Sequence, residues 1–402
     1  MQTSIFQTVE LAPRDPIIGL TEAYVADSRP NKVNLGVGVY CDENGKIPLL
    51  RAVREAERAR VEAGLPRGYL PIEGLATYDA AVQKLLFGPD SPLIAAGRLV
   101  TAQALGGTGA LKIGADLLKR LNPQAQVLIS DPSWENHRAL FEGAGFKVSN
   151  YPYYDASTHG LNFAGMCTAL RAAPAGTIVA LHACCHNPTG VDLSAEQWRD
   201  VARICKAQSL VPMMDIAYQG FGEGIEADAA AVRIFADEGL SLFVASSFSK
   251  SFSLYGERVG ALTIVTGSGE ESARVLSQLK RVIRTNYSNP PTHGGSIVAA
   301  VLGDPKLRAT WEDELAEMRN RIKAMRRALV EGMKARGVAG DFSFVLKQNG
   351  MFSFSGLTAA QVERLCKEFG IYAVSSGRIC VAALNPKNID YVCDALAAVL
   401  RG

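Results

Sequence analysis

Lys250 ends the segment Ser247-Phe248-Ser249-Lys250, directly after the apolar run 241–246 and shortly before Arg258. An amine at the end of a buried strand, with hydroxyls and a guanidinium near it, is suited to bonding a carbonyl compound that also carries a phosphate. A lone lysine is ordinarily a solvated surface residue, but this one comes with further chemistry. Gly106-Gly107-Thr108-Gly109 runs into a helical stretch, and the free N–H groups of a helix start bind an anion such as phosphate. The run is neither G-x-G-x-x-G nor a P-loop, which counts against a dinucleotide or ATP site. Asp215 is a carboxylate able to keep a pyridine nitrogen protonated, although a turn aspartate at a strand end is a common alternative. Tyr218 and Asn187 are donors for a phenolate oxygen on such a ring. Trp134 offers a flat face to stack on it, or serves as an ordinary core tryptophan. Ser247, Thr108 and Arg258 are the phosphate candidates. Together these residues spell a pocket for pyridoxal 5'-phosphate, in which Lys250 bonds the cofactor aldehyde and then moves a proton at the substrate Cα.

The elements that position these groups alternate along the chain. Short β-rich runs at Leu99–Ala104, Gln126–Ser130, Phe146–Tyr151, Thr177–Ala183, Val211–Asp215, Ser241–Ser246 and Gly260–Val265 are separated by helical patterns, the mark of βαβ units. This predicts an α/β fold with a mostly parallel seven-stranded sheet and helices on both faces. Five motifs follow the carboxyl ends of strands, where open α/β sheets bind ligands. Ser194 and Gln197 read as a capping box opening the helix that carries Trp198, Val201 and Ile204. From Asp304 to Gly337, apolar residues recur at spacings of three and four, so the segment reads as one long amphipathic helix leading out of one domain into another. Beyond it, shorter elements at Phe342–Leu346, Gly350–Phe354 and Ile379–Ala382, with helices from Thr358 to Phe369 and from Asn388, read as a smaller α+β domain joined by the first ~45 residues. The division expected is an N-terminal arm over 1–11, a small domain over 12–46 and 316–402, and a large cofactor-binding domain over 47–315.

Composition narrows the class. With 402 residues, 48% of them apolar, the chain can bury one large core and a second smaller one. Its 42 Lys+Arg against 40 Asp+Glu leave no electrostatic footprint for nucleic acid or a membrane surface. No apolar run is long enough to span a bilayer and no leader pattern opens the sequence, so a cytoplasmic location is expected. Eight cysteines without a C-x-x-C pair read as reduced thiols. His182, Cys184 and His186 alternate and would share one face of a strand, as metal ligands do. No fourth ligand stands near and a pocket-lining turn follows at once, so no metal is expected.

The ordered set of 34–40, 106–111, 131–137, 187–190, 215–220, 247–252, 257–260, 286–291 and 376–378 resembles the class I aminotransferases of the aspartate/aromatic subgroup over nearly the whole chain. The resemblance implies the roles above and adds others. Gly107, Thr108, Trp134, Asn187, Asp215, Tyr218, Ser247, Lys250 and Arg258 would hold the cofactor, with Tyr69 reaching its phosphate from a partner subunit and His137 standing behind Asp215. Gly38, Trp134, Asn187 and Arg378 would line the substrate site, Arg378 clamping the α-carboxylate and Arg284 reaching from the partner to a distal carboxylate. It also implies a homodimer with shared active sites and a small domain that closes over substrate. The stretches 130–137, 182–186 and 252–258, with Ile47, look like the bacterial aromatic branch, whereas Val39, Thr108 and Asn289 look like the aspartate branch. The expected activity is therefore transfer of the amino group of tyrosine, phenylalanine and aspartate to 2-oxoglutarate by a ping-pong route, the alternative being an aspartate enzyme with weak aromatic activity. Two carboxylate-binding arginines argue against a decarboxylase or lyase on the same fold.

Overall fold

Seven strands form the central sheet: β1 (Leu99–Leu105), β2 (Gln126–Asp131), β3 (Lys147–Pro152), β4 (Ile178–His182), β5 (Val211–Ile216), β6 (Leu242–Ser247) and β7 (Val259–Val265). In this computed structural model, which describes residues 4–12, 15 and 17–401, they lie in the order β1-β7-β6-β5-β4-β2-β3. Residues 1–3 of the expected arm and 13, 14, 16 and 402 of the expected small domain lie outside the described residues. Only β7 runs antiparallel to its neighbours, β1 and β6; the other pairs are parallel. All seven expected strands are present, with ends shifted by about one residue.

The inner strands β4, β5 and β6 are largely apolar and buried along their length because both faces of the sheet are covered there, whereas the edge strand β3 carries Lys147, Ser149 and Asn150. Val179 and Leu181 of β4 enter the same core as Trp198 and Val201 of the helix Ala195–Ala207. Ile178 and Ala180, on the other face, pack with Ile113 and Leu117 of the helix Gly106–Leu121. The capping box at Ser194 is formed: its hydroxyl accepts from Gln197 N, and Gln197 Oε1 accepts from Ser194 N at 2.9 Å.

The long helix spans Pro305–Ala335, capped by Asp304. Trp311 near its start donates to Ser251 O at 2.7 Å, beside the sheet. Further on, Arg326 is buried and donates to Val345 O, Gly350 O and Phe352 O, so the helix ties the sheet to the smaller α+β unit. That unit contains the antiparallel pair Phe352–Phe354 with Arg378–Cys380 and the helices Ala359–Phe369 and Ile389–Leu400. Val33–Asn34 pairs with Ile371–Tyr372, which ties the early segment to it. The run Phe342–Leu346 differs from a strand: Ser343–Lys347 is a 3-10 turn, with Val345 buried and Phe344 stacked on His159 at 4.0 Å. Among the described residues, no helix is long and apolar enough to cross a membrane.

Candidate active site

Three adjacent parallel strands deliver polar side chains to one crevice at their carboxyl ends. β4 ends in His182, β5 carries Asp215 near its end, and β6 ends in Ser247, followed by Lys250. A cavity of about 470 Å³ opens there, lined by Gly38, Gly107, Thr108, Trp134, Asn187, Asp215, Tyr218, Ser247, Lys250, Arg258 and Arg378. The structure thus gathers eleven of the thirteen expected site residues. The other two stand apart. Tyr69 is 95% exposed, and Arg284 lies exposed in the last turn of the helix Gly269–Asn286, its guanidinium bonded to the Ser288 hydroxyl.

One end of the cavity is built for an anion. The helix Gly106–Leu121 starts at the end of β1, so its first N–H groups face the crevice without intrahelical partners. Gly106 has φ +69°, and a Cβ there would lie 2.5 Å from a terminal nitrogen of Arg258. Glycine therefore lets the guanidinium settle against the helix start. Arg258 donates to Ser249 Oγ at 3.2 Å and to Tyr255 O at 3.0 Å, and Ser247 stands beside Gly107. Donors with no anionic partner among the described residues make a cradle for a phosphate.

Deeper in, Asp215 Oδ2 is 3.0 Å from His137 Nε2, and His137 Nδ1 is 3.0 Å from Ser133 Oγ. Burial alone would raise the Asp215 carboxyl, but the hydrogen bond from His137, the nearby imidazoles and the Lys250 ammonium bring it below its ordinary value. It is held as an anion, as a protonated pyridine requires. Burial, with the Arg258 charge adding to it, pushes Lys250 down to about 8 despite the Asp215 carboxylate. Its Nζ sits 4.8 Å from the centre of the Tyr218 ring, whose phenol burial raises. Trp134 lies at the start of the helix Glu135–Gly143, with its ring edge-on to His137 at 5.3 Å.

At the other end, Arg378 is 1% exposed. It donates to Asn187 Oδ1 at 3.0 Å and to Gly36 O at 2.7 Å, while its Nε has no partner and no carboxylate among the described residues pairs with it. Its guanidinium lies 4.2 Å from the centre of the Phe352 ring, which fills the space beside Gly38. A buried cation without a counter-ion is costly, and a ligand carboxylate would relieve it. These donors, the cradle and the Lys250–Asp215 pair fit pyridoxal phosphate together with an amino acid.

Sequence reasoning missed Phe352, Tyr255, Ser249, Ile17 and Ile18, all of which line the cavity. Ser249 and Tyr255 lay inside quoted motifs; the apolar residues gave no chemical signal. The His182, Cys184, His186 alternation does not form one ligand group. His182 clusters with His137 and Asp215, whereas Cys184 clusters with Cys185 and Asp228. The Asp228 carboxylate is already committed to the backbone N–H groups of Gly220, Gly222 and Glu223.

Residues 30–396 match the family described as aminotransferase class I and II. The chain is 69% identical to an aspartate aminotransferase of Pseudomonas aeruginosa over 397 residues, covering 99% of this chain and all of the relative. It is 52% identical to the aromatic-amino-acid aminotransferase of Escherichia coli, covering 98% of this chain and 100% of that one. A crystal structure of an aromatic-amino-acid aminotransferase from Burkholderia pseudomallei, covalently bound to pyridoxal phosphate, superposes with a TM-score of 0.97 at 73% identity, covering 99% of this chain and 100% of that one.

Proposed function

The chain belongs to the class I and II aminotransferases, and from that premise we propose that it transfers the amino group of tyrosine, phenylalanine and aspartate to 2-oxoglutarate in two half-reactions, using pyridoxal 5'-phosphate. The observation that carries the reading is the pairing, in one cavity, of a buried unpaired Arg378 with a Lys250 amine lowered to about 8. The first supplies a seat for an α-carboxylate; the second supplies a base that is partly neutral near neutral pH. The relatives carry names from both substrate branches, which supports the broad reading.

Bound pyridoxal phosphate supplies an electron sink that acidifies the substrate Cα–H. In this reading Lys250 anchors the cofactor and then takes and returns the proton at Cα. Asp215, backed by His137 and Ser133, keeps a proton on the ring nitrogen. Tyr218 and Asn187 donate to the ring oxygen, and Trp134 covers one ring face. Thr108, Ser247, Arg258 and the N–H of Gly107 hold the phosphate. Arg378 orients the α-carboxylate, and Gly38 leaves room for the substrate backbone. The exposure of Tyr69 and Arg284 supports a homodimer in which Tyr69 of the partner subunit meets the phosphate and Arg284 of the partner subunit meets a distal carboxylate, and a cytoplasmic location is part of the same proposal. The same proposal divides the chain at 1–11, 12–46, 47–315 and 316–402, with the last break inside the Pro305–Ala335 helix.

Half-reaction rates for tyrosine, phenylalanine and aspartate, read from the cofactor spectrum, test the proposal. Comparable rates for aromatic and dicarboxylic substrates support it. Rates high for aspartate alone favour the alternative, an aspartate aminotransferase with weak aromatic activity. Absence of any spectral change refutes both.

A further inference from the structure

We propose that His186 is a positioning residue for the substrate carboxylate: it ties the end of β2 to the 187–190 turn and so fixes Asn187 against Arg378. The inference rests on the reading of Arg378 as the carboxylate site.

The central sheet has a gap between β2 and β4. β2 and β4 are neighbours, yet they pair only at Val127–Ile178 and Leu128–Val179. Beyond those residues the ladder stops. Side chains span the rest: Tyr151 of β3 donates to Ala180 O at 3.0 Å, and further along, Ser130 Oγ meets His186 Nε2 at 2.9 Å. The other ring nitrogen, Nδ1, lies 2.8 Å from Thr189 Oγ1, which also accepts from Val191 N at 3.1 Å. His186 is 1% exposed, and Tyr153 stacks on its ring at 3.9 Å and 14°. Burial, together with the charge of His137, holds its pKa well below the ordinary imidazole value, so the ring is neutral. Because both partners are hydroxyls, each able to donate or accept, either neutral tautomer is satisfied.

The turn is thereby clamped from two directions. Asp192 accepts the backbone N–H groups of Cys185 and His186, each at 2.9 Å, which fixes the chain. The imidazole fixes the turn to β2, four residues before Trp134. Asn187 comes next in the chain, and its Oδ1 accepts from Arg378. Loosening the brace leaves Arg378 with its charge but without a fixed direction. Such a defect lowers ground-state and transition-state binding together, and appears in KM more than in kcat.

The test uses the holoenzyme and two variants that remove the same bond from opposite sides. His186→Asn keeps a polar atom at the Nδ1 position for Thr189 and loses the contact with Ser130. Ser130→Ala removes one hydroxyl and is the milder change, so it carries the test if His186→Asn does not fold. KM and kcat for aspartate and phenylalanine are measured with the Kd of 3-phenylpropanoate, a carboxylate lacking the amino group. The expected result is a rise of about fivefold to tenfold in both KM values and in the probe Kd, the worth of one buried hydrogen bond, with kcat within about threefold. The double variant is no weaker than either single, since both substitutions break one shared contact. An unchanged probe Kd with a lowered melting temperature means a packing role only and overturns the proposal, as does simple additivity of the two variants. Arg378→Leu separates the premise from the inference. If it leaves the probe Kd unchanged, the carboxylate reading and the brace fall together; if it weakens the probe while His186→Asn and Ser130→Ala do not, only the brace falls.

Discussion

Arg378→Leu is the most direct perturbation of the site. The guanidinium is buried, spends one nitrogen on Asn187 Oδ1 and another on Gly36 O, and keeps Nε unpartnered. A bound carboxylate completes this arrangement as a buried, hydrogen-bonded charge pair. Removing one partner of such a pair costs ~2–5 kcal/mol. The corresponding loss in kcat/KM is roughly 30- to several-thousand-fold. Every amino acid substrate carries the α-carboxylate, so the losses for aspartate, phenylalanine and tyrosine should agree within about threefold. Arg378→Lys should fall between wild type and Leu, because one ammonium on a flexible stem cannot serve Asn187, Gly36 and a carboxylate at once. Steady-state kinetics on the three substrates is the assay. A loss confined to aspartate, or one below about fivefold for all, would refute the assignment of Arg378 to the carboxylate shared by all substrates.

Four further outcomes can be measured. Lys250 in cofactor-free protein should react with an amine-directed reagent at a rate that levels off above pH about 8, since burial lowers its ammonium to that value; a rate still climbing toward pH 10.5 would contradict its enclosure. The folded pKa is the lower one, so the unfolded chain holds more protons between pH 8 and 10.5 and Lys250 adds stability as pH rises through that window, a trend that Lys250→Met should abolish in thermal melts. Asp215→Asn should keep the cofactor bound through the cradle at Gly107, Ser247 and Arg258, yet slow proton removal in single turnovers by about 100-fold or more; near-normal turnover rules out the pairing with the ring nitrogen. Arg284→Ala should lower kcat/KM for aspartate far more than for phenylalanine, and mixing it with inactive Lys250→Ala protomers should restore aspartate activity to about a quarter of the sites once subunits exchange, one intact site per hybrid dimer.

What could be read before folding was set by the range of the physics involved. Burial on both faces leaves strands such as Val259–Val265 apolar except for Thr263, so the sheet was legible from local runs. Pairing is not local, and the apolar run Phe342–Leu346 carries no record that it would meet His159 in place of a strand edge. The alternation of His182, Cys184 and His186 does not persist as one strand face for a related reason: Cys185 takes φ +51°, which ends the extended chain, although the His182 and His186 rings still lie 4.4 Å apart. Within the cavity, most groups with distinctive chemistry were identified from the sequence, Ser249 and Tyr255 being passed over inside their motifs, whereas Phe352, Ile17 and Ile18 act by shape and look like any core residue. Tyr69 and Arg284 pose the opposite case. Their chemistry suits the proposed site, yet a single chain leaves the phenol 95% exposed and the guanidinium occupied by the hydroxyl of Ser288. A side chain whose ligand is assembled by two subunits has no environment within one of them that could reveal its role. The hybrid-dimer experiment therefore tests the step that neither the sequence pattern nor the geometry of one chain can supply.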